Sequence, residues 1–142
     1  MMKNYYAKIT KQLGGKFLVE FPDLEGCFTE GKTFSDALQN AKEALDGYLA
    51  SHCDRNLNIS APKMYRGKKY HPISVDIKVA FSIHLRELRM KKGFTQTEVA
   101  RKLQISQQAY AKLESPKGNP SLETLKRLSE ALDVEIDLKL VS

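Results

Sequence analysis

The sequence predicts an α+β protein with a β-β-β-α-β domain over residues 1–78 and an all-α domain over residues 79–142. Apolar and polar residues alternate on both sides of the glycine pair at 14–15, which indicates a β-hairpin. From 82 to 133, apolar residues recur at helical spacing, and short turn segments separate them into four helices on one small core. A chain of 142 residues is long enough for two small domains.

The N-terminal domain is predicted to contain four strands and one helix. The strands are expected at residues 5–11, 16–21, 27–31 and 73–77. Thr33 is the expected N-cap of the helix, and Asp36 at the third helical position completes a capping box. An apolar stripe along this helix predicts that it packs on the sheet. Residues 56–72 contain prolines, a glycine and few apolar side chains, so we expect a loop there.

Two helices of the C-terminal domain have recognisable starts. Thr95 and Glu98 form a capping box, and Ser106 is the expected N-cap of the next helix. Gln104 stands in the turn between them, where a residue other than glycine is mildly strained if the backbone is left-handed. These signals predict two helices joined by a tight turn.

The helix after Ser106 is expected to present Gln107, Gln108 and Lys112 outward and to bury Tyr110. Glutamines at the start of a helix suit base reading, because one amide can donate to and accept from a single adenine edge. The capped helix start also offers backbone amides to phosphate. A helical bundle with polar faces is the alternative interpretation of this pattern.

The order of these residues is informative. The run TQ-x-x-VA-x-x-L-x-IS-QQ-x-x-x-x-LE, followed by NPSLETL, resembles the helix-turn-helix of phage repressor and Cro proteins over about 50 residues. The resemblance implies that Gln107, Gln108 and Lys112 read an operator. The other DNA contacts that we expect, mainly to phosphate, are Gln96, Thr97, Ser106, Lys117 and Asn119.

Charge is segregated along the chain, although the net charge is only +6. Residues 20–54 contain eight acidic and two basic side chains, giving −6. Residues 55–72 contain five basic side chains and no acidic one, giving +5, and residues 82–112 contain seven basic and two acidic ones, giving +5. An acidic module followed by a basic one suggests two partners of opposite charge, whereas a solvated surface explains any single block equally well.

The N-terminal half contains the run GG-x-F-x-V-x-FPDLEGC-x-T-x-G-x-T-x-x-x-A, which leads from the hairpin turn into the helix. This run resembles the antitoxins of the HicB type, over roughly residues 4–54 and the strand near Ile73. The resemblance implies a partial, degenerate ribonuclease-H-like domain that neutralises a HicA-type toxin, a small mRNA-cleaving protein with a catalytic histidine. Together with the helix-turn-helix, it implies a bacterial or archaeal type II antitoxin that represses its own operon by binding double-stranded operator DNA.

The toxin is expected to dock on the acidic surface of the N-terminal domain, which would cover a basic RNA-binding surface. The expected contacts are Asp23, Leu24, Glu25, Phe28, Glu30, Asp36 and Glu43. Leu24 and Phe28 are the candidate apolar anchors in this set. We also expect a homodimer or higher homo-oligomer, paired through the helix at 122–132 and through residues 134–140, whose alternation predicts a strand.

A working ribonuclease H needs clustered carboxylates that hold two metal ions. Four acidic residues lie between 20 and 30, and three of them lie on or beside one turn, where acidic side chains are ordinarily solvated. No distant carboxylate on another strand is evident other than Asp76. We therefore predict no catalytic residue, no metal site and no cofactor. Cys27 and Cys53 show no CxxC spacing and are expected to be small buried apolar residues.

No apolar run approaches the roughly 20 residues that span a bilayer, and the N-terminus lacks the apolar core of a signal peptide. We therefore expect a cytoplasmic protein without a membrane partner. Two other functions stay open. A transcriptional regulator with a ligand-sensing N-terminal domain would contain an apolar pocket of several hundred Å³. A nuclease tethered to DNA would depend on a metal ion.

Overall fold

The computed structural model describes residues 4–142, which divide between Ala80 and Phe81 into an N-terminal and a C-terminal unit. The N-terminal unit contains β1 (Asn4–Lys11), β2 (Phe17–Glu20), β3 (Phe28–Gly31), α1 (Phe34–Asp54) and β4 (Tyr70–Ser74). There follow α2 (Ile77–Lys91), within which the division falls, α3 (Gln96–Leu103), α4 (Gln107–Leu113) and α5 (Leu122–Leu132). The predicted α+β class and β-β-β-α-β order are confirmed. Within residues 4–142, no helix combines the length and apolar character needed to cross a membrane.

The four strands form one antiparallel sheet in the order β3-β2-β1-β4, and α1 packs on one face of it. Alternate residues of β1, namely Tyr5, Ala7 and Ile9, are buried. The buried residues of α1 recur at helical spacing: Ala37, Ala41, Leu45, Leu49 and Cys53. One helix and one sheet face therefore build the core of this unit, as the apolar stripe predicted.

The fourth strand lies three residues earlier than predicted. β4 occupies an edge of the sheet beside β1, and an edge strand can accommodate Pro72. Asp76 ends the extended segment, because its carboxylate accepts the Lys78 N–H at 2.9 Å, as at a helix start. The strand predicted at 73–77 is therefore wrong in position, and the loop predicted at 56–72 ends where β4 begins.

Thr33 caps α1 as predicted, but the predicted capping box is incomplete. The Thr33 hydroxyl accepts the Asp36 N–H at 3.0 Å, whereas the Asp36 carboxylate accepts no hydrogen bond from the Thr33 backbone. Aspartate is one methylene shorter than Glu98, which does complete the box of α3. Just before α1, Gly31 approaches the helix so closely that a Cβ there would lie 2.4 Å from the Ala37 backbone nitrogen.

Both cysteines are buried in the N-terminal unit, and no disulfide joins them. The Cys27 thiol donates toward the Ala44 carbonyl oxygen, with 3.7 Å between Sγ and O. Burial raises the pKa of the Cys27 thiol to about 11, so this group is uncharged at neutral pH. Cys27 and Cys53 therefore pack as small apolar side chains, as expected.

The helices of the C-terminal unit surround a cluster of buried side chains: Leu85, Val99, Ala100, Leu103, Tyr110, Leu128 and Leu132. Val134, which follows α5, packs against the same cluster. Residues 134–142 have no regular secondary structure, so the strand predicted at 134–140 is absent from this single chain. A strand needs a neighbour to satisfy its backbone, and the tail has none in one copy.

Candidate nucleic-acid and protein interfaces

Caps and a strained residue define the turn between α3 and α4. The Thr95 hydroxyl accepts the Glu98 N–H, and the Glu98 carboxylate accepts the Thr95 N–H, both at 3.1 Å. Gln104 ends α3 in the left-handed region, with φ 58° and ψ 43°, as the sequence suggested. Ser106 then caps α4 by accepting the Ala109 N–H at 3.0 Å. These bonds fix the direction in which α4 leaves the turn.

The surface of α4 carries the side chains that were predicted to read DNA. Gln107, Gln108 and Lys112 are exposed, whereas Tyr110 is buried in the core. Three polar side chains thus project from a short helix that a buried tyrosine holds in place. Glutamine and lysine side chains on such a helix can reach base edges in a major groove.

A chain of hydrogen bonds lies behind this surface. Arg89 on α2 and Glu114 at the end of α4 form a buried ion pair, with 2.6 Å between Nε and Oε2. Glu114 Oε1 also accepts from the Gln96 side-chain amide at 3.1 Å, and Gln96 Oε1 accepts from the Gln107 amide at 2.8 Å. The hydrogen bond to Glu114 raises the pKa of the Arg89 guanidinium. Through this chain of hydrogen bonds, the Arg89–Glu114 pair positions Gln96 and Gln107, the first residues of α3 and α4.

The remaining predicted DNA contacts surround α4. Thr97, Lys117 and Asn119 are exposed, and Gly118 is buried between the last two. A Cβ on Gly118 would lie 2.4 Å from the Lys112 carbonyl oxygen, so the loop passes directly against the end of α4. This close approach brings Lys117 and Asn119 beside Lys112.

Four of the carboxylates predicted to contact the toxin are exposed: Glu25, Glu30, Asp36 and Glu43. Those of Glu25, Asp36 and Glu43 accept no hydrogen bond from any residue between 4 and 142. Glu30 forms an ion pair with Lys16 at 3.3 Å, and both side chains are exposed. An exposed pair is weak, so Glu30 can exchange Lys16 for a partner protein.

Phe28 is an exposed aromatic residue that lies between Glu25 and Glu30 along the chain. It is 67% exposed and lies on the edge strand β3, opposite Glu20 of β2. A large exposed aromatic ring within a charged surface is typical of a residue that anchors a protein partner.

Two residues of the predicted toxin surface are engaged within the unit itself. Leu24 is only 2% exposed, so it belongs to the core and cannot anchor a partner in this conformation. Asp23 accepts the Lys63 N–H at 2.8 Å and the Tyr65 hydroxyl at 2.7 Å, which fastens the loop between α1 and β4. The hydrogen bond to Asp23 raises the pKa of the Tyr65 hydroxyl. The anchor role predicted for Leu24 is therefore corrected by its burial, whereas the toxin contact of Asp23, which is partly exposed, stays a prediction.

A depression of about 450 Å³ lies along α1 and is lined by Leu38, Gln39, Lys42, Glu43 and Asp46. All five side chains come from one helix and four are polar, so the depression is a surface groove. It differs from the enclosed apolar pocket expected of a small-ligand sensor. In the described part of the chain, no three His, Cys, Asp or Glu side chains are grouped so that they could hold a metal ion.

A family model described as "HicB_like antitoxin of bacterial toxin-antitoxin system" matches residues 5–106. The chain belongs to this HicB-like antitoxin family. A helix-turn-helix family model matches residues 85–139, so the HicB-like antitoxin carries a helix-turn-helix domain in its C-terminal part.

Relatives of this HicB-like antitoxin include antitoxin HicB of Escherichia coli K12, which is 26% identical over 137 residues, 96% of this chain and 99% of that protein. The UPF0150 protein Ta0767 of Thermoplasma acidophilum is 49% identical over 47 residues, 33% of this chain and 68% of that protein. The crystal structure of the Burkholderia pseudomallei antitoxin HicB aligns with a TM-score of 0.46 at 19% identity. That alignment covers 67% of this chain and 87% of that chain.

Two long-range contacts near the candidate interfaces of the HicB-like antitoxin were not predicted from its sequence. The Arg89–Glu114 pair joins residues 25 positions apart, and the bond from Lys63 to Asp23 spans 40 positions. Neither contact belongs to the local spacing of a helix or a strand, so periodicity in the sequence does not indicate it. A charged residue near a helix end or in a turn normally faces solvent, so no local signal marked these side chains as engaged.

Proposed function

We propose that this HicB-like antitoxin binds and inhibits a HicA-type, mRNA-cleaving toxin through its N-terminal unit. Its C-terminal unit represses the antitoxin's own operon in the cytoplasm by binding operator DNA. The observation that carries the proposal is the combination, on one chain of the antitoxin family, of an exposed carboxylate surface and a helix-turn-helix with exposed glutamines.

Toxin binding is supported by charge and by one exposed ring. An RNA-cleaving protein presents a positive surface to phosphate, and the carboxylates of Glu25, Glu30, Asp36 and Glu43 complement such a surface. Phe28 supplies an apolar anchor. Leu24 is excluded from this role by its burial. The charges steer the two proteins together, while the anchor slows their separation.

Operator binding is supported by the side chains of α4. Gln108 is exposed and reads a base edge, Gln107 contacts DNA from its position beside Gln96, and Lys112 contacts bases and phosphate. One helix-turn-helix reads only a few base pairs. Two copies therefore bind together across a two-fold axis, with half-sites about one turn of DNA apart.

Two full-length variants separate the two activities. Reversing charge with Glu25→Lys and Glu43→Lys should slow association with purified toxin and abolish growth rescue, because the steering surface is lost. The same variant should still repress an operator reporter. Gln108→Ala should behave in the opposite way, with rescue kept and repression lost.

A control double variant, Glu87→Lys with Glu123→Lys, changes the net charge equally at exposed positions of the C-terminal unit. It should neutralise the toxin like the natural chain. If the control variant loses neutralisation to the same extent as the Glu25 and Glu43 variant, total charge rather than the proposed surface governs toxin binding. The proposed toxin site is then wrong.

A further inference from the structure

Three tyrosine rings of the N-terminal unit form a cluster beside the edge strand β4. The Tyr65 and Tyr70 rings stack, with 5.1 Å between their centroids and an angle of 16° between their planes. Tyr6 on β1 joins them, with 6.4 Å between its ring centroid and that of Tyr65. All three residues are half-buried, so packing holds each ring in place while part of it stays accessible to a ligand.

The cluster belongs to the sheet face that α1 does not cover. The buried residues of β1 alternate along the strand and point into the core, so Tyr6 and Lys8 point to the opposite face. Tyr70 pairs with Lys8 in the register of β1 and β4, and directly opposed residues share a face. This face of the sheet therefore presents aromatic rings beside a positive charge.

Unpaired positive charges lie between the two stacked tyrosines along the chain. Residues 55–72 contain five basic side chains and no acidic one. Three of them, Arg66, Lys68 and Lys69, are exposed and form no ion pair with any residue between 4 and 142. Their charges are therefore available to an anionic partner.

Hydrogen bonds fasten this basic segment to the sheet. The Ile9 N–H of β1 donates to the Lys69 carbonyl oxygen at 2.8 Å. The Tyr65 hydroxyl donates to the Asp23 carboxylate at 2.7 Å, which holds the ring of Tyr65 over the sheet. The rings and the neighbouring charges are therefore in place before a ligand arrives, which reduces the entropic cost of binding.

We propose that the three tyrosines and the basic side chains at 66, 68 and 69, together called the tyrosine surface, bind single-stranded nucleic acid. Aromatic rings stack on bases, and basic side chains beside them attract the phosphates. The bases of a duplex are already stacked on one another, whereas a single strand can turn its bases toward a protein. The combination of rings and free charges therefore fits a single strand.

Charge predicts the path of the strand across the tyrosine surface. Lys8 lies between Tyr70 of β4 and Glu20 of β2. Because Glu20 repels phosphate, we expect the phosphates to follow β4 and the basic segment, with the bases turned toward the rings. This activity goes beyond the proposed function, since neither the proposed toxin surface nor the operator-reading helix uses these side chains.

Fluorescence anisotropy of the full chain with a labelled uridine strand of about 12 nucleotides tests the charges. Lys68→Ala with Lys69→Ala should weaken binding roughly tenfold and reduce the salt slope by about 1.4, because each phosphate contact on a single strand contributes about 0.7. Lys16→Ala with Lys32→Ala is the matched control. It removes the same charge from exposed lysines beside β2 and β3, and it should change the affinity by less than about twofold.

The rings are tested with the same strand and with an abasic strand of equal length. Tyr6→Leu and Tyr70→Leu should each weaken binding to the uridine strand about tenfold, because leucine fills space but cannot stack on a base. Binding to the abasic strand should not change. Tyr48→Leu is the control, because Tyr48 is also half-buried but stacks on His52 of α1. The exposed lysine variants keep the proposal testable if a tyrosine variant fails to fold.

Two further measurements identify the site and the ligand. Lys112→Ala with Lys117→Ala should weaken duplex DNA and change binding to the single strand by less than about twofold, whereas Lys68→Ala with Lys69→Ala should do the reverse. A DNA strand of matching sequence shows whether the 2′-hydroxyl contributes, since only RNA carries it. Tight binding of either strand supports the proposal, and the ratio of the two affinities shows which is preferred.

Four outcomes overturn the proposal. The first is no binding of either single strand at low salt. The second is equal affinity for the uridine and abasic strands, because the surface then binds charge alone and would suit an acidic protein segment equally well. The third is an equal loss for the control lysine variant and the variant of the basic segment. The fourth is an effect of Lys112→Ala with Lys117→Ala on the single strand as large as that of Lys68→Ala with Lys69→Ala.

Discussion

Gln104 adopts a backbone conformation that costs a residue with a Cβ about 1–2 kcal/mol. Hydrogen bonds at the end of α3 hold it there, because its N–H donates toward the Ala100 and Arg101 carbonyl oxygens. The following N–H, of Ile105, also donates to the Ala100 carbonyl at 3.0 Å. The residue thus stores local strain at the turn that sets the direction of α4.

Replacing Gln104 by glycine should raise the free energy of unfolding by about 0.5–1 kcal/mol, because glycine adopts a left-handed conformation without a steric cost. Urea denaturation measures the change. Gln108→Gly is the matched control and should lower the free energy of unfolding by roughly 1 kcal/mol, since Gln108 lies within α4. Equal destabilisation by both variants would contradict the left-handed turn.

Gln108→Ala should weaken binding to the cognate operator by about 1–3 kcal/mol and leave binding to random DNA almost unchanged. The physical reason is that a bidentate contact to one base carries sequence information, whereas contacts to phosphate do not. Titration of labelled duplexes at fixed salt measures both affinities.

Lys117→Ala provides the contrast for this titration. If Lys117 contacts phosphate, its replacement should weaken binding to all DNA to a similar extent and reduce the salt slope by about one. An equal loss on cognate and random DNA for Gln108→Ala would instead place the reading side chain elsewhere.

The helices of the C-terminal unit are held together at their ends by the buried Arg89–Glu114 pair. Arg89 also donates to the Phe94 carbonyl at 2.8 Å, so one side chain joins α2, the turn before α3 and the end of α4. Glu114 in turn positions Gln96. Removing either charge would leave the other charge buried without its partner, which is costly.

Glu114→Ala should lower the free energy of unfolding by about 3–5 kcal/mol and increase hydrogen exchange at the start of α4. The loss of order arises because Gln96 loses its acceptor on Glu114, and Gln107 in turn donates to Gln96. Glu123→Ala, at an exposed position in the first turn of α5, should change the free energy of unfolding by less than about 1 kcal/mol. A similar small effect for both variants would show that the pair does not hold the helices.

Local signals located the helices, because a cap is a contact between residues three positions apart. Ser106, Thr95 and Thr33 all occupy the positions that their neighbours predicted. The fourth strand was misplaced because alternation continued past Ser74, whereas Asp76 starts a helix there. The local sequence pattern could not distinguish a strand that continues past Ser74 from a helix that starts after Asp76.

Some candidate interface residues were predicted correctly from local pattern, and others were not because long-range contacts decide their exposure. Exposure of Gln107, Gln108 and Lys112 follows from helical period, and the structure agrees. Burial of Leu24 and engagement of Asp23 depend on how the β2–β3 connection and the loop before β4 fold over each other. Such long-range contacts have no repeat in sequence, so sequence patterns alone placed both residues on the surface.

The whole chain combines two units, each with its own core, and charges of opposite sign concentrate in different parts of the sequence. The carboxylates of the proposed toxin surface belong to the N-terminal unit, and the glutamines and lysines of α4 and its loop belong to the C-terminal unit. This separation supports independent contacts with a basic protein and with DNA.

A fragment of residues 1–80 should still neutralise the toxin, because the proposed docking residues and the core beneath them lie within it. Expression with the toxin, scored by growth, measures this activity. Residues 81–142 alone should give no rescue and should retain binding to operator DNA. Rescue by the full chain but by neither fragment would mean that the toxin contacts both units.

The two buried thiols of the N-terminal unit can report when this unit unfolds. A thiol reacts with an alkylating reagent only as an accessible thiolate, and at a pKa of about 11 the Cys27 thiol is almost entirely protonated while buried. Labelling therefore follows the rate or frequency of unfolding. Because the chain has no cysteine after Cys53, the C-terminal unit adds no background. A bound toxin should slow labelling according to the fraction of antitoxin it occupies, so the natural side chains measure occupancy without an added probe.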